Sequence, residues 1–138
     1  ICNIYRFLRD RKICFEPQWL KEAMETSADR AGSIARNALS ADKAEAISIQ
    51  TLDLFVAILG AVAGNLALTL AAKNGVYIGG GIAPQILPSL QKDLFMQSFT
   101  NKGPLSRFTA DIPVSVICKP EANLYGLANF ARKRQQAR

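Results

Sequence analysis

Histidine is absent from all 138 residues. That excludes a Ser–His–Asp triad, a Cys–His nucleophile pair and any His-ligated zinc. Proton transfer would have to come from carboxylates, Lys, Tyr, Cys or a substrate. Cysteine is scarce: Cys2, Cys14 and Cys118 are an odd number without CxxC spacing. No disulfide framework or metal site is implied, and a reducing, cytoplasmic compartment is the expectation. An initial Met is missing too. The chain opens at Ile1 directly into an apolar helical pattern with no signal-peptide layout, so it reads as a piece of a longer protein.

What is present is enough for one core, with 49% hydrophobic and 20% charged residues. The net charge of +6 is confined to the ends. Arg6, Arg9, Arg11 and Lys12 crowd the first twelve residues, and Arg132, Lys133, Arg134 and Arg138 the last seven; residues 13–131 carry a net −1. A nucleic-acid surface would spread basic groups over the fold and interleave them with aromatics, so neither nucleic acid nor a membrane surface is the expected partner.

Periodicity predicts short helices over 2–12 and 18–25, and a third over 30–39 capped by Asp29 or Ser27. From Ala41, capped by Ser40, to Lys73 nothing interrupts a helical pattern, and Asn74–Gly75 supplies the stop. Residues 54–72 are uncharged, long enough for a membrane span, and Gly60 and Gly64 form a GxxxG pair. The content of Ala and Gly, Asn65 and Thr69, and the lack of a Trp/Tyr belt favour instead a helix buried on all sides in a core. The small residues at 60, 61, 63 and 64 then predict close approach of another backbone.

Val76–Ile78 reads as a buried strand emptying into Gly79-Gly80-Gly81, and Ile82-Ala83-Pro84 opens the next helix, which Pro88 should shorten or kink. A helical piece over 93–99 and a turn at 101–104 follow. Residues 112–118 read as a second strand and Asn123 to about Arg134 as a final helix. The class is α/β, helix-rich, with few strands. Two strands lack the partners a buried parallel sheet needs. Strand–GGG–helix is either a tight connection or a place where a ligand lies against bare backbone at a helix N-terminus. It is neither GxGxxG nor a P-loop.

The run GNLALTLAAKNGVYIGGGIAPQILPSL (64–90) resembles bacterial-type glucokinases, ATP-dependent kinases of the actin/hexokinase-like ATPase superfamily. Asn3–Leu8 is similar to that family's NIYR segment and Phe95–Phe108, with Lys102-Gly103, to its F…F…KG segment. Asp111–Val114 resembles its DIPV strand and Glu121–Ala131 its closing helix. The resemblance runs through essentially the whole chain, in order. It implies the C-terminal part of an RNase H-like, actin-like ATPase domain. Residues 1–122 would belong to the large, nucleotide-side domain, and 123–138 would form a closing helix returning toward the small domain near the hinge, loosely anchored here.

By the same resemblance Gly79, Gly80, Gly81, Ile82, Ala83 and Pro84 form the adenosine side of an ATP site. Gly64 is a packing residue, and Asn65 either a buried amide or a nucleotide-side contact, packing being preferred. The family's DxGGT phosphate loop, its Asn-Asp base, its second phosphate loop and its sugar-gripping ExxH pair do not occur in these residues. No catalytic residue or metal ligand is therefore assigned here. The implied activity is phosphorylation of glucose at its 6-hydroxyl by ATP with Mg2+, in a cytoplasmic, commonly dimeric enzyme, with this piece inactive alone. A non-catalytic nucleotide-binding module is the alternative.

Overall fold

The computed structural model describes residues 1–136; Arg138, counted in the basic tail, lies outside the described residues. Three short helices come first: α1 (Cys2–Asp10), α2 (Gln18–Thr26) and α3 (Arg30–Ala38). The Asp29 side chain accepts from the Gly32 N–H and caps α3 as expected. Tyr5, Leu8, Leu20, Met24 and Ile34 from these helices close a small core with Ile47, the first buried residue of α4 (Ala46–Thr69).

Helix α4 is the spine, and it is shorter than its sequence pattern at both ends. It begins at Ala46, not after Ser40. Asn37 prevents the earlier start: its Nδ2 donates to Lys43 O at 2.8 Å and its Oδ1 accepts from the Glu45 N–H at 3.2 Å. These bonds hold 40–45 as a loop that turns α4 back against α3, while Ser40 Oγ accepts from the Lys43 N–H within it. At the other end Ala71 takes φ +47, with Ala72 N donating to Ala67 O and Ala71 N to Leu68 O. This double bond pattern closes a helix through a left-handed residue, normally Gly. Lys12 ends α1 in the same way, at φ 54.

The inner face of α4 is packed: Ser48, Thr51, Leu52, Val56, Gly60, Ala63, Gly64 and Ala67 are all buried. The expectation of burial on every side is corrected. Leu54, Ile58, Val62, Leu66 and Leu70 repeat every four residues along the outer face and are exposed, because the buried positions, where α1, α3 and α7 pack, all fall on the opposite side. Asn65 lies on this outer side and is exposed, so it is not a buried amide.

The expected close backbone approach is met. Helix α7 (Asp93–Thr100) crosses α4 at its two glycines. A Cβ on Gly60 would overlap Phe95 O, and one on Gly64 would overlap Phe99 O. Lys102 secures the crossing, its Nζ donating to Ala61 O at 3.0 Å.

After α4, strand β1 (Val76–Ile78) leads to two single-turn helices, α5 (Ile82–Gln85) and α6 (Leu87–Leu90). The helix opening at Ile82 is cut short, as Pro88 predicts: it breaks at Ile86, and Pro88 sits in the first turn of α6, where a missing N–H costs nothing. Beyond α7 the turn at Gly103–Leu105 runs into a short helix that the pattern did not announce, α8 (Ser106–Ala110). Strand β2 (Val114–Val116) pairs in parallel with β1, Val76 opposite Val114 and Ile78 opposite Val116. These four side chains turn toward the main core around Val56, Ile86, Phe95 and Phe99, while Tyr77 points outward. Helix α9 (Ala122–Gln136) follows, with Leu124, Tyr125, Leu127 and Phe130 exposed. The architecture is helix-rich α/β with a small parallel sheet, consistent with part of a larger α/β domain.

A candidate nucleotide cleft at the strand ends

The two strands are held together to their last residues, where the Ile117 N–H donates to Ile78 O at 2.9 Å. Past that bond the segments part. Gly79, Gly80, Gly81, Pro84 and Gln85 form one wall of a cleft of about 450 Å3, and Ile117–Pro120 with the start of α9 form the other. A crevice outside the carboxyl ends of parallel strands is the usual ligand position in open α/β sheets. The walls are largely apolar, with Gln85, Lys119 and Asn123 as the polar exceptions. Such a lining suits a flat ring system fixed by few hydrogen bonds. At the rim, Lys119 Nζ lies 5.5 Å from the Tyr125 ring centroid.

The three glycines differ in why they are glycine. Gly80 has φ +106, which side-chain-bearing residues rarely adopt. A Cβ on Gly79 would make an ordinary contact, 3.6 Å from Ile117 Cδ1. Gly81 has φ −73 and ψ −19, open to any residue, and a Cβ there would meet nothing within 4 Å. Neither backbone nor packing within this chain requires glycine at 81.

Of the other residues singled out from the sequence, Pro84 lines the cleft, Ile82 is exposed, and Ala83 is buried in the main core. Asn65 is not part of the lining. The anion-attracting helix N-terminus expected after the glycines is not built, because α5 is a single turn with little dipole. The second wall, from Ile117 to Asn123, was missed. Its one sequence signal is Lys119-Pro120 breaking β2, which marks where the chain must leave the sheet. No group of three or more Cys, Asp or Glu among the described residues could hold a metal ion. The described lining of the glycine cleft carries no carboxylate, so nothing in that lining would hold Mg2+ directly.

A parallel two-stranded sheet with a glycine cleft at its carboxyl ends, buttressed by a long helix, is the arrangement of part of an α/β domain. The chain matches the family described as Glucokinase over residues 1–134, and it belongs to that family. It is 44% identical to a glucokinase of Nostoc punctiforme over 96% of this chain, and 35% identical to one of Synechocystis over 93%. A glucokinase of Caulobacter vibrioides is 51% identical over 59% of the chain. The chain spans 41% of the length of the Nostoc relative and 38% of that of Synechocystis.

Proposed function

We propose that the protein to which these residues belong is an ATP-dependent glucokinase, moving the γ-phosphoryl group of ATP to the 6-hydroxyl of glucose and releasing ADP. The glycine cleft takes the adenosine half of ATP, with Gly79, Gly80, Gly81 and Pro84 against the base and ribose. Ile82 and Ala83 serve by setting the turn. The observation that carries this reading is Gly81, a glycine with no conformational or packing reason inside the chain. Mg2+ comes bound to the nucleotide phosphates. Phosphoryl transfer also needs a positioned acceptor and charge stabilisation. Neither a base nor a sugar-binding set is present here, so this stretch alone is inactive, and the rest of the enzyme supplies both. On this reading residues 1–122 are the nucleotide-side domain and 123–138 the return toward the hinge, in a cytoplasmic homodimer that binds neither nucleic acid nor membrane.

The test is Gly81→Val in the intact enzyme. The KM for ATP should rise about tenfold or more, the loss expected from filling a ring slot, while the KM for glucose and the melting temperature stay put. An unchanged KM for ATP sinks the assignment. Glucose-dependent ADP release by the pure 138-residue chain would refute the division of labour.

A further inference from the structure

Leu54, Ile58, Val62, Leu66 and Leu70 form one ridge along the outer face of α4, each between 39% and 74% exposed. No charged residue lies between Asp53 and Lys73 to interrupt it. At 1.5 Å per residue the ridge is about 24 Å long. Its five side chains leave about 500 Å2 of apolar surface bare, the size of patch that commonly marks an interaction site. Helix propensity does not account for the choice of residues. Ile58 and Val62, at the middle of the ridge, are β-branched and gain nothing from an exposed helical position.

What covers the ridge follows from where it points. Helices α1, α3 and α7 pack on the opposite side of α4. So does the main core, into which the strands turn Val76, Ile78, Val114 and Val116. The chain spans 41% of the length of its Nostoc relative, and a remainder that completes the two-stranded sheet would join it at its free edges, on that inner side. A further layer stacked outside α4 would exceed the two or three layers of a domain. The ridge is left for a second molecule, and its geometry fits a copy of itself. Ridges of residues four apart interdigitate when two helices cross with their axes about 50° apart. A two-fold axis at Val62 sets Ile58 against the partner's Leu66 and Val62 against its own counterpart, with no charge buried. The two ridges together bury about 1,000 Å2, the area a biological interface needs.

We propose that the outer face of α4 is the subunit interface of a homodimer, the two copies of α4 packing antiparallel across a two-fold axis at Val62. The inference rests on the homodimer reading under Proposed function and names its surface.

The experiment is sedimentation equilibrium of the intact enzyme, which should run as a dimer. Val62→Glu sets a carboxylate against its own copy at the axis. It should raise the dimer dissociation constant about a hundredfold or more and halve the mass at low concentration. Val62 is 49% exposed, so the fold itself is not at risk. A cross-link gives a second reading that needs no disruption. With Cys2, Cys14 and Cys118 replaced by Ser, Val62→Cys should join to its own copy through a short bifunctional maleimide, each thiol adding across one maleimide double bond. Glu25→Cys, on α2, should not. A dimer that persists in Val62→Glu, or a Val62→Cys protein that does not cross-link, overturns the surface and leaves the homodimer reading standing. A monomeric unmodified enzyme sinks both. A Val62→Glu protein that keeps its dimeric mass but melts lower would mean that the enzyme's own remainder covers the ridge. Flotation of the unmodified enzyme with phosphatidylcholine vesicles, abolished by Val62→Glu, would put lipid there. Either result overturns the proposal.

Discussion

Gly64 lies directly against the main-chain carbonyl of Phe99: a methyl group on its Cα would overlap that oxygen and come within 2.6 Å of Lys102 Cε. One turn earlier Gly60 stands in the same relation to Phe95. The α4–α7 crossing is therefore a backbone-to-backbone contact, and it gives the fold its clearest mutational signature. In an exposed helix Gly→Ala stabilises by about 1 kcal/mol through propensity. Here Gly60→Ala and Gly64→Ala should each destabilise by about 1–3 kcal/mol, because α7 must be displaced. Urea unfolding of the intact protein reads the sign directly, and stabilisation by either change would contradict the crossing.

The glycine turn separates conformational from ligand effects. Gly80→Ala should cost about 1–2 kcal/mol of stability, since φ +106 is strained for any side chain. Gly81→Ala should lie within about 0.5 kcal/mol of the unmodified protein. Thermal melts of the two variants, compared with their KM for ATP, test this. Equal destabilisation by both would mean the turn is not as described.

Asn37 holds the loop between α3 and α4 through two hydrogen bonds. Asn37→Ala should cost about 1–2 kcal/mol, the loss of a paired amide with one backbone donor left unmade. Amide exchange of the Glu45 N–H should accelerate well beyond the global change. An unaffected Glu45 amide would show that the loop is held by something else.

Ser48 is wholly buried in α4 and its hydroxyl has no hydrogen-bond partner among the described residues. Removing an unsatisfied buried hydroxyl removes its desolvation cost. Ser48→Ala should be neutral or stabilising by up to about 1 kcal/mol, helped by alanine's helix propensity. Denaturant melts showing a loss above about 1 kcal/mol would reveal a hydrogen bond.

Tyr5 predicts an alkaline limit. Its phenol is raised from 10.0 by burial first, then by Glu16. In the unfolded chain it ionises near its ordinary value, so above about pH 10 the unfolded state binds fewer protons than the folded state and stability falls as pH rises. Below that pH the contribution is constant. Tyr5→Phe should flatten the alkaline limb of stability against pH without moving the acid limb. An identical alkaline limb in both proteins would remove Tyr5 from the account.

Much of this could be read along the chain, for a common reason: local signals acted on local structure. Asp29 capped α3 because its side chain reaches an N–H three residues on. Val76–Ile78 became a strand ending in glycines, of which Gly80, at φ +106, takes a conformation that side-chain-bearing residues rarely adopt. Gly60 and Gly64 announced a close neighbour because two small residues one helical turn apart leave a groove that only backbone fills. What could not be read turned on pairings that composition does not mark, some only a few residues apart and some across the fold. Asn37 shortened α4 by bonding to Lys43 and Glu45. Ala71 ended it in a conformation that composition assigns to glycine. The helix pattern showed α4 to be apolar all round, but which side is covered followed from where α1, α3 and α7 dock. The far wall of the cleft, Ile117–Asn123, met the glycines only because β2 pairs in parallel with β1 across the intervening residues 79–113. Residue order alone established family, elements and the glycine wall. The opposite wall, the exposed stripe and the burial of the Tyr5 hydroxyl came from long-range packing, because burial belongs to the space between elements and not to any one of them.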